Sequence, residues 1–547
     1  MQKILLYAIL CAMVLIVVPP AASSPKLIVI IAIDQLRYDY LVRFKDHLGL
    51  EGFRFLMDNG ASFSNATFKH GTNSTGPGHA VIATGAYANQ NGIIANSWYD
   101  VLRQEGVYCV SDTRVALVGS DHEGRSPANL IGSSFGDELR LGSNFHSKVI
   151  SVSIKDRSAI LLGGKLANAA YWFADSAFVT STYYAKDLPQ WVKQFNGSGL
   201  IQSYFGKKWE RVLPEEDYAV MGPDDAPYED TPSGLGRTFP HPITGDDPSR
   251  ITSSYYSALR TTPFGNDILA AFAREALREE KLGVDDYPDL FCISFSANDE
   301  VGHAYGPNSH EVLDITVRTD RTLADLLGFI EQEVGLKNCI IALTADHGVA
   351  AIPEYILSHA PQTDAGRVSH SALRSFCNAA LSRTFGMLKK GGWIKRIVGN
   401  GIYLDRETVR EKKLEAAAVV SVLADSLRTM TKIAAAQTRA ELMGHFPPSS
   451  IAHKMQRSFH PQRSGDIMFA LKPFYILDDG TTGTTHGQPY EYDAHVPLIL
   501  FGEGIRSGTH ATDASPADIA PTLSALLGVE FPAGREGRVL TEALKLP

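Results

Sequence analysis

Five stretches of continuous apolar, β-branched sequence constrain this chain most: residues 26–33 (KLIVIIAI), 148–154 (KVISVSI), 290–295 (LFCISF), 339–344 (CIIALT) and 496–501 (VPLILF). Runs of this kind mark strands buried on both faces. Helical periodicity fills the intervals, for example at 267–282 and 310–334. The alternation predicts an α/β fold, doubly wound, with a mostly parallel central sheet and helices on both faces. In such open sheets ligands bind beyond the carboxyl ends of the strands. Four of the five runs end there in ligand-type side chains: Asp34, then Lys155 and Arg157, then Asp299 and His303, then Asp346 and His347. Loops that serve only to solvate strand ends would favour Ser, Asn and Gly.

The rest of the chain is organised around that sheet. Residues 1–23 read as a secretory signal peptide: Lys3, an apolar stretch over 4–18, Pro19 and Pro20, then small residues. The stretch is shorter than the ~20 residues that span a bilayer, so cleavage is favoured over a retained anchor. This predicts a periplasmic or secreted protein without stable membrane association. The core is expected over 24–355, with an irregular insertion at about 180–260, and again over 466–547. Residues 356–465 are expected to form an inserted cap module, the main sheet resuming at 466–471. Cys109, Cys292, Cys339 and Cys377 are widely spaced, which indicates neither a thiolate zinc site nor a disulfide framework. The net charge of −9 argues against a nucleic-acid partner, which calls for a basic face.

Two constellations carry chemistry. In HGTNSTGPGHAVIATG, Thr75 precedes Gly76-Pro77-Gly78 and a helical run. A hydroxyl there is suited to capping the helix, and the positive potential of a helix N-terminus also favours an alkoxide and a bound phosphate oxygen. The second constellation is Asp34, Asp299, His303, Asp346, His347 and His486, the last in GTTGTTHGQP. Asp299 and His303 are spaced to share one face of a helical turn. Three Asp and three His form a mixed oxygen and nitrogen donor set suited to zinc, and six of them predict two metal sites.

The motifs IDQLRYDYL, TGPGHAVIATG, GIIANSWYD, KDRSAI, FSANDEVGHAYGPNS, TADHG and GTTHGQP resemble those of the monomeric, threonine-dependent alkaline phosphatases of PafA type. Those belong to the wider alkaline phosphatase, nucleotide pyrophosphatase and sulfatase superfamily. The resemblance implies two Zn²⁺ per chain, one held by Asp299, His303 and His486, the other by Asp34, Asp346 and His347 with the Thr75 oxygen. It implies Thr75 as nucleophile, a phospho-threonine intermediate, and contacts from Asn96, Lys155 and Arg157 to phosphoryl oxygens. Lys155 would stand where Ser-dependent relatives hold a third metal. A monomer acting on small-molecule phosphate monoesters is implied as well.

Charge then separates substrates. Two zinc ions offset three carboxylates and an alkoxide, so Lys155 and Arg157 add two positive charges that match a monoester dianion. A phosphodiesterase or nucleotide pyrophosphatase on the same fold would be expected to lack that pair and to offer an apolar pocket for its second ester group. A sulfatase would need Cys or Ser within C/S-x-P-x-R, which the nucleophile motif lacks. A metal- or phosphate-binding protein without turnover would need the nucleophile absent or blocked.

Overall fold

The structure is a computed structural model that describes residues 25–545. The predicted signal peptide lies outside the described residues. Eight elements position the site: β1 (Leu27–Ile33), α1 (Thr75–Thr84), β2 (Val149–Ser153), α2 (Asp156–Gly163), β3 (Asp289–Phe295), α3 (Ala297–Tyr305), β4 (Cys339–Thr344) and β5 (Leu498–Gly502). The four strands β1 to β4 are buried along their whole length, as their apolar composition demands. Full burial of each Val, Leu, Ile or Phe contributes roughly 1.5–3 kcal/mol.

These strands belong to one eleven-stranded sheet flanked by helices. Its order is Gly508–His510, Ala61–Phe63, β5, β4, β1, β3, β2, Ala169–Ala174, Ala177–Ser181, Ser111–Val118 and Glu123–Arg125. From β4 to Ala169–Ala174 all neighbours are parallel. Their register is nearly flush, with Ile33 beside Phe295, Ala32 beside Thr344 and Ser294 beside Ser153. Four polar strand ends therefore meet at one edge. The fifth expected strand, β5, runs antiparallel to β4. Its beginning therefore lies at the edge where the others end, and the loop carrying His486 reaches the site from before the strand.

One expectation needs correction. Ile467–Leu471 does not resume the main sheet. It pairs antiparallel with Gly401–Leu404 and Ile433–Thr438 in a separate four-stranded sheet completed by Ile394–Val398. Leu373, Cys377, Leu381, Trp393, Leu423, Leu427 and Phe469 give that unit its own apolar core. An apolar strand reveals that it is buried, but not which sheet buries it. Between Ser181 and Ser253 the chain forms only short helices and two-residue strands. Among the described residues Cys109, Cys292, Cys339 and Cys377 are free and buried. Among the described residues no helix is long and apolar enough to cross a membrane.

Candidate active site

Each expected side chain reaches the edge by a local route. α1 begins at Thr75, with Ser74 at the N-cap position, so Thr75 is the first helical residue rather than the cap. Gly78 lets α1 approach β4's end, because a Cβ there would overlap the Asp346 carbonyl. Asp299 and His303 share one face of α3, with Asp299 Oδ1 and His303 Nε2 3.3 Å apart. His486 arrives on its loop, its Nε2 3.8 Å from the same Oδ1.

Two carboxylate and imidazole groups result. Asp299, His303 and His486 present ligand atoms within 4.8 Å of one another, and so do Asp34, Asp299 and His347. Asp346 joins the second group, its Oδ2 being 3.4 Å from His347 Nε2, while Asp34 Oδ1 lies 3.3 Å from the same nitrogen. Asp299 thus serves both groups. Each imidazole donates its other ring N–H to a backbone carbonyl: His303 to Thr484, His486 to Asn73 and His347 to Gly348. That fixes the tautomer and turns Nε2 inward, the arrangement expected of metal-binding histidines.

The electrostatics fit a cation. Asp34 Oδ1 and Asp346 Oδ2 are buried and accept no hydrogen bond among the described residues, a costly condition for carboxylates. Burial, then the charges of Asp299 and Asp346, push Asp34 well above the usual carboxylate range. Burial opposes ionisation of Asp299, but Lys155 and His303 hold it well below that range. Burial, then His347 and His303, drive His486 well down, and burial also lowers His347, favouring the neutral ligand form. His303 is raised to about 9: burial acts against its charge, and Asp299 outweighs burial.

Thr75 Oγ1 lies 3.5 Å from His347 Nε2 and accepts from Arg157 at 3.3 Å. Lys155 Nζ bridges Asp34 Oδ2, at 2.7 Å, and Asp299 Oδ2. Two of its three donors are therefore committed to carboxylates and one is left for another acceptor. Asn96 Oδ1 accepts from Gly76 N–H at 2.6 Å, which leaves the amide's two N–H donors for other acceptors.

Sequence reasoning missed the residues behind these. Tyr108 OH accepts from Arg157 at 3.3 Å and donates to Asp156, whose other oxygen takes Arg125. Asp493 Oδ2 accepts from the N–H groups of Gly487 and Gln488 and so braces the His486 loop. His79 donates to the Thr75 carbonyl and accepts from Ser294. Gln35 contacts both Asp299 and Asp346. Tyr108 ends the short strand Glu105–Tyr108 and Asp493 lies in the short helix Glu491–Ala494, where no local sequence pattern marks them. Only the position of Gln35 within IDQLRYDYL marks it.

The chain belongs to the type I phosphodiesterase / nucleotide pyrophosphatase family, whose sequence profile matches residues 28–493. Within that class it is similar to two alkaline phosphatases over almost its whole length. It is 36% identical to PhoV of Synechococcus elongatus, over 95% of this chain and 93% of PhoV. It is 34% identical to PafA of Elizabethkingia meningoseptica, over 95% of this chain and 94% of PafA. The crystal structure of wild-type PafA superimposes with a TM-score of 0.90, covering 96% of this chain and 100% of that one at 34% identity.

Proposed function

We propose that the protein is an exported, zinc-dependent alkaline phosphatase that hydrolyses phosphate monoesters through a phosphorylated Thr75 and releases inorganic phosphate. The observation that carries this reading is the convergence of Thr75 Oγ1, Arg157 and two carboxylate and imidazole groups, one of which holds two orphaned, buried carboxylate oxygens. The named activity of PafA and PhoV supports it.

Asp299, His303 and His486 would hold one zinc ion, and Asp34, Asp346 and His347 the other. Ions bound there supply a lowered pKa for the Thr75 hydroxyl and positive charge for the attacking and leaving oxygens. Thr75 Oγ1 bonds to phosphorus as the ester P–O bond breaks, and the leaving oxygen takes its proton from water. Water then bonds to phosphorus, the Thr75 Oγ1–P bond breaks and phosphate departs. Arg157, already directed at Thr75, binds an equatorial oxygen. The free donor of Lys155 and the Asn96 amide serve the remaining oxygens. Two cationic side chains suit a dianion better than a diester monoanion. Residues 1–23, read as a signal peptide, supply the case for export.

The family's name keeps diester hydrolysis as the second reading. The test is kcat/KM of zinc-loaded enzyme on one aryl monoester and the matched aryl diester. A clear monoester preference is expected. Preference for the diester would replace the reading with a phosphodiesterase.

A further inference from the structure

We propose that Gln35 is a positioning residue for the metal-binding carboxylates, its side-chain amide orienting Asp299 and its backbone N–H orienting Asp346. The proposal rests on the two-zinc reading above. Gln35 is buried at the end of β1, directly after Asp34, with φ of 67°. That left-handed conformation is uncommon for residues other than glycine. It aims the Gln35 N–H at Asp346 Oδ1, 3.1 Å away, and the side chain toward α3. There Nε2 donates to Asp299 Oδ1 at 2.6 Å, the oxygen that faces His303 and His486. Lys155 holds the other Asp299 oxygen, so neither carboxylate oxygen is free to rotate away.

The surroundings are shaped for this amide. Its Oε1 lies against Gly302, where any Cβ would overlap it. A glycine therefore stands in α3 at the point where the Gln35 side chain needs room. The chemistry also selects an amide. It donates to a carboxylate without adding charge to a site whose charge the two ions already balance, and Oδ1 keeps a second lone pair for an ion. A glutamate of the same length would set a carboxylate against Asp299, and leucine would leave Oδ1 without its donor. Hydrogen-bond partners of metal ligands of this kind are typically worth about 10–100-fold in affinity or activity.

Gln35→Gly separates the proposed role from a folding role. It keeps the backbone N–H to Asp346, relieves the left-handed backbone and removes the side chain that carries the amide. The expected result is a Tm at or above wild type, with zinc lost to a chelator about 10–100-fold faster from one of two sites. On an aryl monoester kcat falls by a similar factor, while KM stays within about threefold. Gly302→Ala, which displaces the amide without altering Gln35, should reproduce this loss. In a Gln35→Gly background, where the overlap is gone, Gly302→Ala should add nothing. Wild-type zinc retention and kcat in Gln35→Gly, or full additivity in the double variant, would overturn the proposal. A wild-type protein that binds fewer than two zinc ions would overturn the two-zinc reading and the proposal with it.

Discussion

The two carboxylate and imidazole groups use the same residue types in different surroundings. The Asp34, Asp346 and His347 group sits on the ends of β1 and β4, and all three side chains are fully buried. The group of Asp299, His303 and His486 draws on α3 and a loop, and the His303 side chain is 33% exposed. Its outer support comes from the irregular segment before α3. Asp230 N–H donates to the Ala304 carbonyl, and the Tyr228 carbonyl accepts from Gly483 N–H. One group is thus fixed by the sheet. The other is assembled from three distant segments and depends on each. Asp299 links them, since it presents ligand atoms to both.

The largest expected effects fall on the ligands themselves. Asp299→Ala should empty the site of His303 and His486, Asp346→Ala should empty the other, and each should abolish activity. Elemental analysis of the two purified variants checks this. Two zinc ions retained by either variant would remove that carboxylate from the ligand set.

Next come the groups proposed to bind phosphoryl oxygens. Arg157→Ala removes a charge-assisted contact worth about 1.5–3 kcal/mol, a loss of roughly 10–100-fold in kcat/KM for a monoester. The loss on a diester should be smaller, and equal losses would remove the monoester-specific role. Gly78→Ala tests the packing of α1 on the sheet-borne group. Its methyl must push the helix from the Asp346 carbonyl, and a shift of that kind should lower kcat about tenfold or more. Unchanged kcat would show that α1 tolerates displacement.

The smallest effect concerns the outer support of the exposed group. Burial, then the charges of Glu311 and Asp224, raise the buried Glu229 carboxyl to about 9. The folded state therefore binds this proton more tightly than the unfolded state. Stability is lost as pH rises from the ordinary glutamate value toward 9, and is unaffected below that range. Glu229→Gln removes the term, so its Tm should exceed wild type by about 1–3 °C near pH 9, with the gap closing by about pH 5. A gap independent of pH would mean that the carboxyl does not titrate there.

The contrast between the groups also explains what could be read in advance. Strands buried on both faces must be apolar throughout, so Asp34 and Asp346 stand out where β1 and β4 stop. Asp299 and His303 are legible because helical spacing joins them. Orientation was not legible: nothing in VPLILF says that β5 runs antiparallel, and nothing in IMFAL says which sheet Ile467–Leu471 enters. Nor were the bracing residues. Gln35 and Asp346 are 311 residues apart, and Tyr108 and Arg157 are 49 apart. Such partners are chosen by the tertiary fold and leave no local pattern. Thr75 was legible as a helix-terminal hydroxyl, although the cap position falls to Ser74.

Thr75 is proposed to carry the phosphoryl group during turnover. Quenching zinc-loaded enzyme in acid during steady-state hydrolysis of an aryl monoester, then mapping phosphorylation by mass spectrometry, tests this role at the residue itself. One added phosphoryl group is expected on the peptide containing Thr75, absent from Thr75→Ala, which should have lost turnover while retaining zinc. Near wild-type turnover by Thr75→Ala, or phosphorylation at another residue, would contradict it.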